Sequence, residues 1–301
     1  MKFKVLCIGE ILWDSLPQGL FLGGAPFNVA YHLNTLGCET VLVSKIGKDI
    51  LGEKIIKSMN ALGMSTKYLQ VDNNYPTGKV NVKLDLSGYP SYKIAEPAAW
   101  DFIEINDSLI DVSRRVDAFI FGTLCQRNLV SQKTIETLRK LNSCNIFDIN
   151  LRTPYLDIEV VESSLIDSQI VKFNDDEFRQ LSNWFHLSND LKEGVEQIAD
   201  KFHCTTICIT HGSNGSALWH NGKWLNHNGF RVKIKDTVGA GDAFLAALLF
   251  KLLYSDNNYD ALDFANAVGA YVVMQNGATP ILDLEKIEKL RLSGRNRAID
   301  E

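Results

Sequence analysis

Short apolar runs alternate along this chain with stretches of helical periodicity, and that alternation limits the fold more than any other feature. Residues 3–8, 118–121, 146–149, 170–173 and 206–210 read as buried strands. Residues 28–36, 131–141, 191–201, 240–253 and 259–275 carry amphipathic helical patterns. Strands separated by helices pair in parallel, and the helices cover both sheet faces. Two segments break the rhythm. Residues 78–94 alternate apolar and polar side chains about Ser87-Gly88, as a β-hairpin does, and 12–22 is extended and turn-rich. We expect one α/β domain over 1–301, a doubly wound, mainly parallel sheet with helices on both faces. A small β lid would come from about 12–22 and 77–99. In such sheets ligands bind beyond the carboxyl ends of the strands.

Charge narrows the partners. The 301 residues include 31 basic and 36 acidic side chains, a net charge of −5, and no strongly basic segment. A nucleic-acid footprint is therefore not expected. An anion would have to be held locally, by backbone amides and a few placed cations. The six cysteines form no CxxC pair and sit mostly in apolar, strand-like surroundings, which suits reduced thiols in a cytoplasmic protein. Glu10 and Asp14 break the first apolar run, so it does not read as a signal peptide. No stretch approaches the roughly 18 apolar residues of a membrane span.

Four short motifs carry the chemistry. Gly239-Ala240-Gly241-Asp242 opens an apolar helix, where free backbone N–H groups and the helix dipole make an anion site. A capping loop with an ordinary Asp would look the same. Gly23-Gly24-Ala25-Pro26-Phe27-Asn28 leads into a second apolar helix, with Pro26 suited to its first turn. In Lys172-Phe173-Asn174-Asp175-Asp176-Glu177 a strand gives way to a helix. Asn174 and Glu177 share one face of the first turn. They would suit a water-rich Mg²⁺ or a capping box equally well. Thr210-His211-Gly212-Ser213-Asn214-Gly215 fits a tight turn or a nucleotide loop, and His211 reads as a turn histidine rather than a base.

Several chemistries lack their signatures. Gly47 and Gly52 have P-loop spacing, but Glu53-Lys54 follows where Gly52 should precede Lys and Ser or Thr. No GxGxxG follows the first strand, which disfavours a dinucleotide-dependent dehydrogenase. HExxH and GxSxG are also missing.

Together and in this order, the motifs resemble those of the ribokinase-like (PfkB-type) carbohydrate kinases over nearly the whole chain. Residues 23–30 with Leu36-Gly37 are similar to the family's N-terminal signature, and 236–244 to its C-terminal one. Within the family the likeness is to fructokinases. It is carried by 9–14, Tyr92, Ala99-Trp100-Asp101 and Asp148-Ile149-Asn150-Leu151-Arg152, where Ile149 replaces the usual proline. The resemblance implies an ATP-dependent sugar kinase forming fructose 6-phosphate. Ribose, 2-keto-3-deoxygluconate and nucleosides are the rival acceptors, and a catalytically silent sugar-binding regulator is the rival class. It implies Asp242 as catalytic base and Gly239, Ala240 and Gly241 as amides facing the transferring phosphoryl group. Asp14, Gly24 and Asn28 would hold the sugar. Asn174 and Glu177 would organise Mg²⁺ and its waters. Thr210, Gly212 and Gly215 would cradle the nucleotide, with Asn266 beside the adenine. Asp236, Val238, Val272, Gln275 and Gly277 would supply a monovalent cation, K⁺, mostly through carbonyls. An exposed lid edge needs covering, so a homodimer through the lid is the expected assembly if the protein is not a monomer.

Overall fold

The computed structural model describes residues 2–16, 19–84, 90–255 and 257–299, with the side chains of 16, 81–84, 90–92 and 294–299 left aside. The chain opens with β1 (Lys4–Ile8), the hairpin β2 (Leu12–Leu16) and β3 (Gly19–Gly23), and α1 (Ala25–Leu36). There follow β4 (Glu39–Gly47), α2 (Ile50–Ala61), β5 (Leu69–Asp72) and a second hairpin, β6 (Gly78–Leu84) and β7 (Pro90–Ile94). Next come α3 (Asp107–Ser113), β8 (Ala118–Gly122), α4 (Leu129–Arg139), β9 (Asn145–Asp148), α5 (Ile158–Ile166) and β10 (Ile170–Asn174). Helices α6 (Asp175–Phe185) and α7 (Leu191–Phe202) lead to the meander β11 (Thr206–Thr210), β12 (Ser216–His220) and β13 (Lys223–His227). Helices α8 (Ala240–Tyr254), α9 (Asn258–Val273) and α10 (Leu284–Ile299) close the chain.

Nine strands form one sheet in the order β13-β12-β11-β10-β9-β8-β1-β4-β5, parallel except at the β11-β12-β13 edge. Strand order reverses at β1, with β4 on one side and β8 on the other. The crevice between the ends of β1 and β8 is the switch point at which doubly wound sheets bind ligands. Successive side chains of each strand point to opposite faces, and the core divides accordingly. Leu6, Ile8, Phe119, Phe121, Ile207 and Ile209 pack against α3 to α7, including Leu138, Val161, Leu181 and Ile198. Their neighbours Val5, Cys7, Ala118 and Ile120 face α1, α2 and α8, and Cys208 and Leu218 face α8 and α9. The near-continuous apolar runs seen in the sequence are strands buried on both sides.

The two segments that broke the rhythm form a second sheet, ordered β3-β2-β6-β7. The strands of both hairpins thus lie in one sheet, with β2 and β6 parallel at its centre. The tips of both hairpins, including Ser87-Gly88, lie outside the described residues, as does the side chain of Tyr92. Pro26 occupies the first turn of α1, so that helix starts three residues before the apolar periodicity at 28–36. All six cysteines are free thiols, five of them buried.

Candidate active site

Asp242 and Asn28 meet at the switch-point end of the sheet. Gly239 caps α8, so Ala240, Gly241 and Asp242 are its first three residues. Gly239 has φ 76, and a Cβ there would fall 2.5 Å from the Ala278 side chain. A side chain there would be strained and would press on Ala278. The Ala240 amide closes onto Thr237 O at 3.3 Å, whereas the Gly241 amide finds no acceptor among the described residues. That leaves a helix-start donor beside Asp242. On the facing helix, Asn28 Nδ2 donates to Asp242 Oδ2 at 2.8 Å, and Asn28 Oδ1 is buried with no partner. Gly24 caps α1 at φ 112, pressed so close to the chain after β1 that a Cβ would lie 2.3 Å from Glu10 O.

The electrostatics follow from burial. Burial pushes the Asp242 carboxyl up to about 6, with the charge of Asp148 adding to it. The Asn28 hydrogen bond, Lys172 and Arg152 pull the other way. Asp14, half-buried on β2, is likewise pushed up to about 6 by burial, against the pull of Arg152 and with a push from Asp236. The small sheet therefore brings Asp14 into the field of the same loops that carry Asp236 and Arg152.

Asn174 and Glu177 form the capping box. Glu177 N donates to Asn174 Oδ1 at 2.9 Å, and Asn174 N donates to Glu177 Oε2 at 2.8 Å. Glu177 Oε1 accepts from Leu151 N at 2.8 Å, which ties α6 to the loop after β9. Both oxygens of Glu177 thus already serve the protein, and direct metal ligation by it would compete with these bonds. Among the described residues no group of three or more His, Cys, Asp or Glu is arranged to hold a metal ion.

Thr210 ends β11, and Gly212 and Gly215 lie in the turn to β12. Gly212 faces open space, with nothing within 4 Å of a built Cβ. Asn266 on α9 donates to Ser216 Oγ at 2.7 Å, which places it beside the same turn. His211 Nδ1 lies 2.7 Å from Asp175 Oδ1, which ties this turn to the start of α6. Asp236 accepts from Val238 N and Gly277 N, each at 3.0 Å, and so joins the two loops of the expected cation set. The carbonyl of Val272 is engaged by the amides of Gln275 and Met274. Both carboxylate oxygens of Asp236 are thus engaged by backbone amides, as is the Val272 carbonyl.

Four further residues beside the site were given no role from sequence: Glu10, Asp148 and Lys172, which lie in the quoted motifs, and His32. Each is a polar residue in an apolar run, and buried charge needs a partner, so the signal was present. Lys172 Nζ lies 2.8 Å from Asp148 Oδ1, both side chains being under 10% exposed. His32 Nε2 lies 2.9 Å from Ala278 O, backing the Gly239 turn, and burial lowers its pKa to about 4. The ring is therefore neutral, and Nε2–H donates to the carbonyl. Glu10 accepts from Ala25 N at 3.3 Å, and burial pushes its carboxyl up to about 7. A folded-state pKa above the ordinary 4.5 means that stability is lost as pH rises from about 4.5 through 7. Glu10→Gln keeps an acceptor for Ala25 N. It should therefore raise stability at pH 8 by on the order of 2 kcal/mol and change little at pH 4. Thermal unfolding of both proteins at the two pH values checks this; equal midpoints at pH 8 would contradict it.

The comparisons with known proteins identify the family. The pattern of the pfkB family carbohydrate kinases matches residues 18–284. An uncharacterized sugar kinase of Pyrococcus horikoshii is 31% identical over 297 residues, covering 91% of each chain. The fructokinase of Escherichia coli is 26% identical over 309 residues, covering 94% of this chain and 97% of its own. The crystal structure of a Xylella fastidiosa fructokinase with bound ATP superposes with a TM-score of 0.85 at 22% identity, over 97% of this chain and 99% of that one. With its ribokinase-like sheet and the paired glycine-rich helix starts, this chain belongs to the pfkB family of carbohydrate kinases.

Proposed function

We propose that the protein is an ATP-dependent fructokinase that converts fructose to fructose 6-phosphate. The observation that carries the reading is the Asn28–Asp242 contact at the start of α8, beside the free amide of Gly241. Asn28 and Asp14 would hold sugar hydroxyls, with the unpartnered Asn28 Oδ1 accepting one of them. The attacking hydroxyl forms the new O–P bond as the bond from the γ-phosphorus to ADP breaks. Its proton passes to Asp242. Phosphoryl transfer has a loose transition state, so positioning and charge stabilisation dominate. The amides of Gly239, Ala240 and Gly241 would meet the charge on the phosphoryl oxygens. Mg²⁺, organised by Asn174 and Glu177 through water, would neutralise the nucleotide phosphates. Thr210, Gly212, Gly215 and Asn266 would receive the nucleotide, and K⁺ near Asp236 would support the anion site.

Fructose is favoured by Trp13-Asp14 and Ala99-Trp100-Asp101 and by the fructokinases among the relatives. The small sheet would act as a lid that excludes water, a competing acceptor. Its outermost strand β3 exposes Leu20 and Phe21, each at 38%, and an uncovered edge of this kind suits a lid-to-lid dimer. Sedimentation that finds only monomer at working concentration would remove the dimer.

ADP release from MgATP should be followed with fructose, ribose, glucose, mannose, 2-keto-3-deoxygluconate and adenosine. Fructose should give the highest kcat/KM. A different preferred acceptor would keep the chemistry and move the substrate. No turnover, with sugar or ATP still bound, would replace the enzyme by a silent regulator.

A further inference from the structure

Lys172 and Asp148 are register partners on adjacent parallel strands, β10 and β9, and their side chains form a buried ion pair at 2.8 Å. A pair that served the sheet alone would satisfy its own atoms. This one does not. Asp148 Oδ2 is buried without a partner, and Asp148 is the one acceptor that the three-donor ammonium has among the described residues. Desolvating two charges for packing alone is unfavourable. The location supplies the reason for keeping them: a Cβ on Gly241 would lie 3.6 Å from Lys172 Nζ, so the ammonium sits directly beneath the first turn of α8.

We propose that Lys172 is the charge hub of the site, a positioning residue whose ammonium, anchored by Asp148 beneath Gly241, works against the charge of Asp148 and favours the proton-accepting form of Asp242. The inference rests on the reading of Asp242 as the base. The charged groups around Asp242 come from every neighbouring element. They are Asp148 at the end of β9, Lys172 on β10, Arg152 in the loop after β9 and Glu10 after β1, with the dipolar Asn28 on α1. Glu177 on α6 faces Lys172. Burial works against the charge of Lys172, but Asp148, then Glu177 and Asp242, more than offset it, so the ammonium stays charged through the neutral range. Asp148 and Lys172 push Asp242 in opposite directions. A lysine left without Asp148 should therefore favour the carboxylate more strongly than the pair does.

The test reads the midpoint of Asp242 in two ways. One is the acid limb of kcat. The other is the ¹³C carboxyl titration of Asp242, assigned by its loss in Asp242→Asn. Asp148→Asn should lower the midpoint by about one pH unit, and adding Lys172→Met should raise it again by a smaller step. Asp148→Asn/Lys172→Arg should keep the lowered midpoint, though with reduced kcat. Midpoints that stay put while kcat falls would overturn the proposal and leave a structural ion pair. Should the variants not fold by circular dichroism, the wild type still decides. The Lys172 Cε resonance should step where Asp242 titrates and lose that step in Asp242→Asn; no step overturns the hub. The NMR titrations need no turnover, so a failed kinase assay would not be mistaken for a failed hub.

Discussion

Asp242→Asn should lower kcat about a thousandfold while the KM for the sugar changes no more than a few-fold. Asparagine keeps the shape of the side chain and an oxygen for Asn28 Nδ2, which now donates to Asp242 Oδ2 at 2.8 Å. Sugar placement therefore survives. On the proposed reading, what is lost is the group that would receive the hydroxyl proton, which matters only as the transition state develops. The variant should also fold at least as well as the wild type. Asp242 has its pKa pushed up to about 6 by burial, above its ordinary 3.8, so its contribution to stability is lost as pH rises through that range. At pH 8 the neutral amide should be more stable by on the order of 2 kcal/mol. Lost activity with undiminished stability separates a missing base from a damaged fold. A rise in KM that accounts for the whole loss would instead assign Asp242 to binding.

The second large effect concerns stability. Trp100→Ala should destabilise the protein by about 3–5 kcal/mol in denaturant unfolding at neutral pH. Trp100 is fully buried, and the Arg127 guanidinium lies 4.1 Å from its ring. Arg127 in turn binds Asp101 at 2.7 Å and donates to Ala95 O at the end of β7. Gly78, the first residue of β6, passes so close that a Cβ would fall 2.3 Å from Trp100 Nε1. The indole thus fills the space where both strands of the second hairpin join the body. Alanine leaves a cavity there and removes one face of the Arg127 stack. Trp100→Phe, which keeps an aromatic face, should lose roughly half as much. A loss below about 1 kcal/mol for alanine would mean that the site collapses around the gap.

The central sheet was legible because strands buried on both faces leave long apolar runs, and 206–210 appears in the structure with the same bounds. Strand β4 was not marked, since Lys45 and Ser44 interrupt it; Lys45 is accommodated by an ion pair with Asp72 at 2.8 Å. The glycine-rich helix starts could be read because few residues can replace Gly24 and Gly239 where the chain passes so close. Asn28 and Asp242 were named from motifs far apart in sequence, but nothing local states that they touch. The same holds for Lys172 and Asp148, whose pairing depends on the register of β9 with β10. For Asn174 and Glu177 the two sequence readings were a metal platform and a helix cap, and the geometry contains the cap. Ligand roles there depend on groups that side-chain identity alone does not position.

The contact between Asn28 and Asp242 spans 214 positions of the chain, and α1 packs against α8 to make it. During synthesis the half that carries Asn28 emerges first and waits for residues beyond 236 before Asp242 and the glycine turn exist beside it. A nascent chain stopped short of that point would have no completed pocket for ligand to stabilise. Substrate in the cell can then protect only finished molecules, and truncated products remain exposed to proteolysis whatever the sugar concentration.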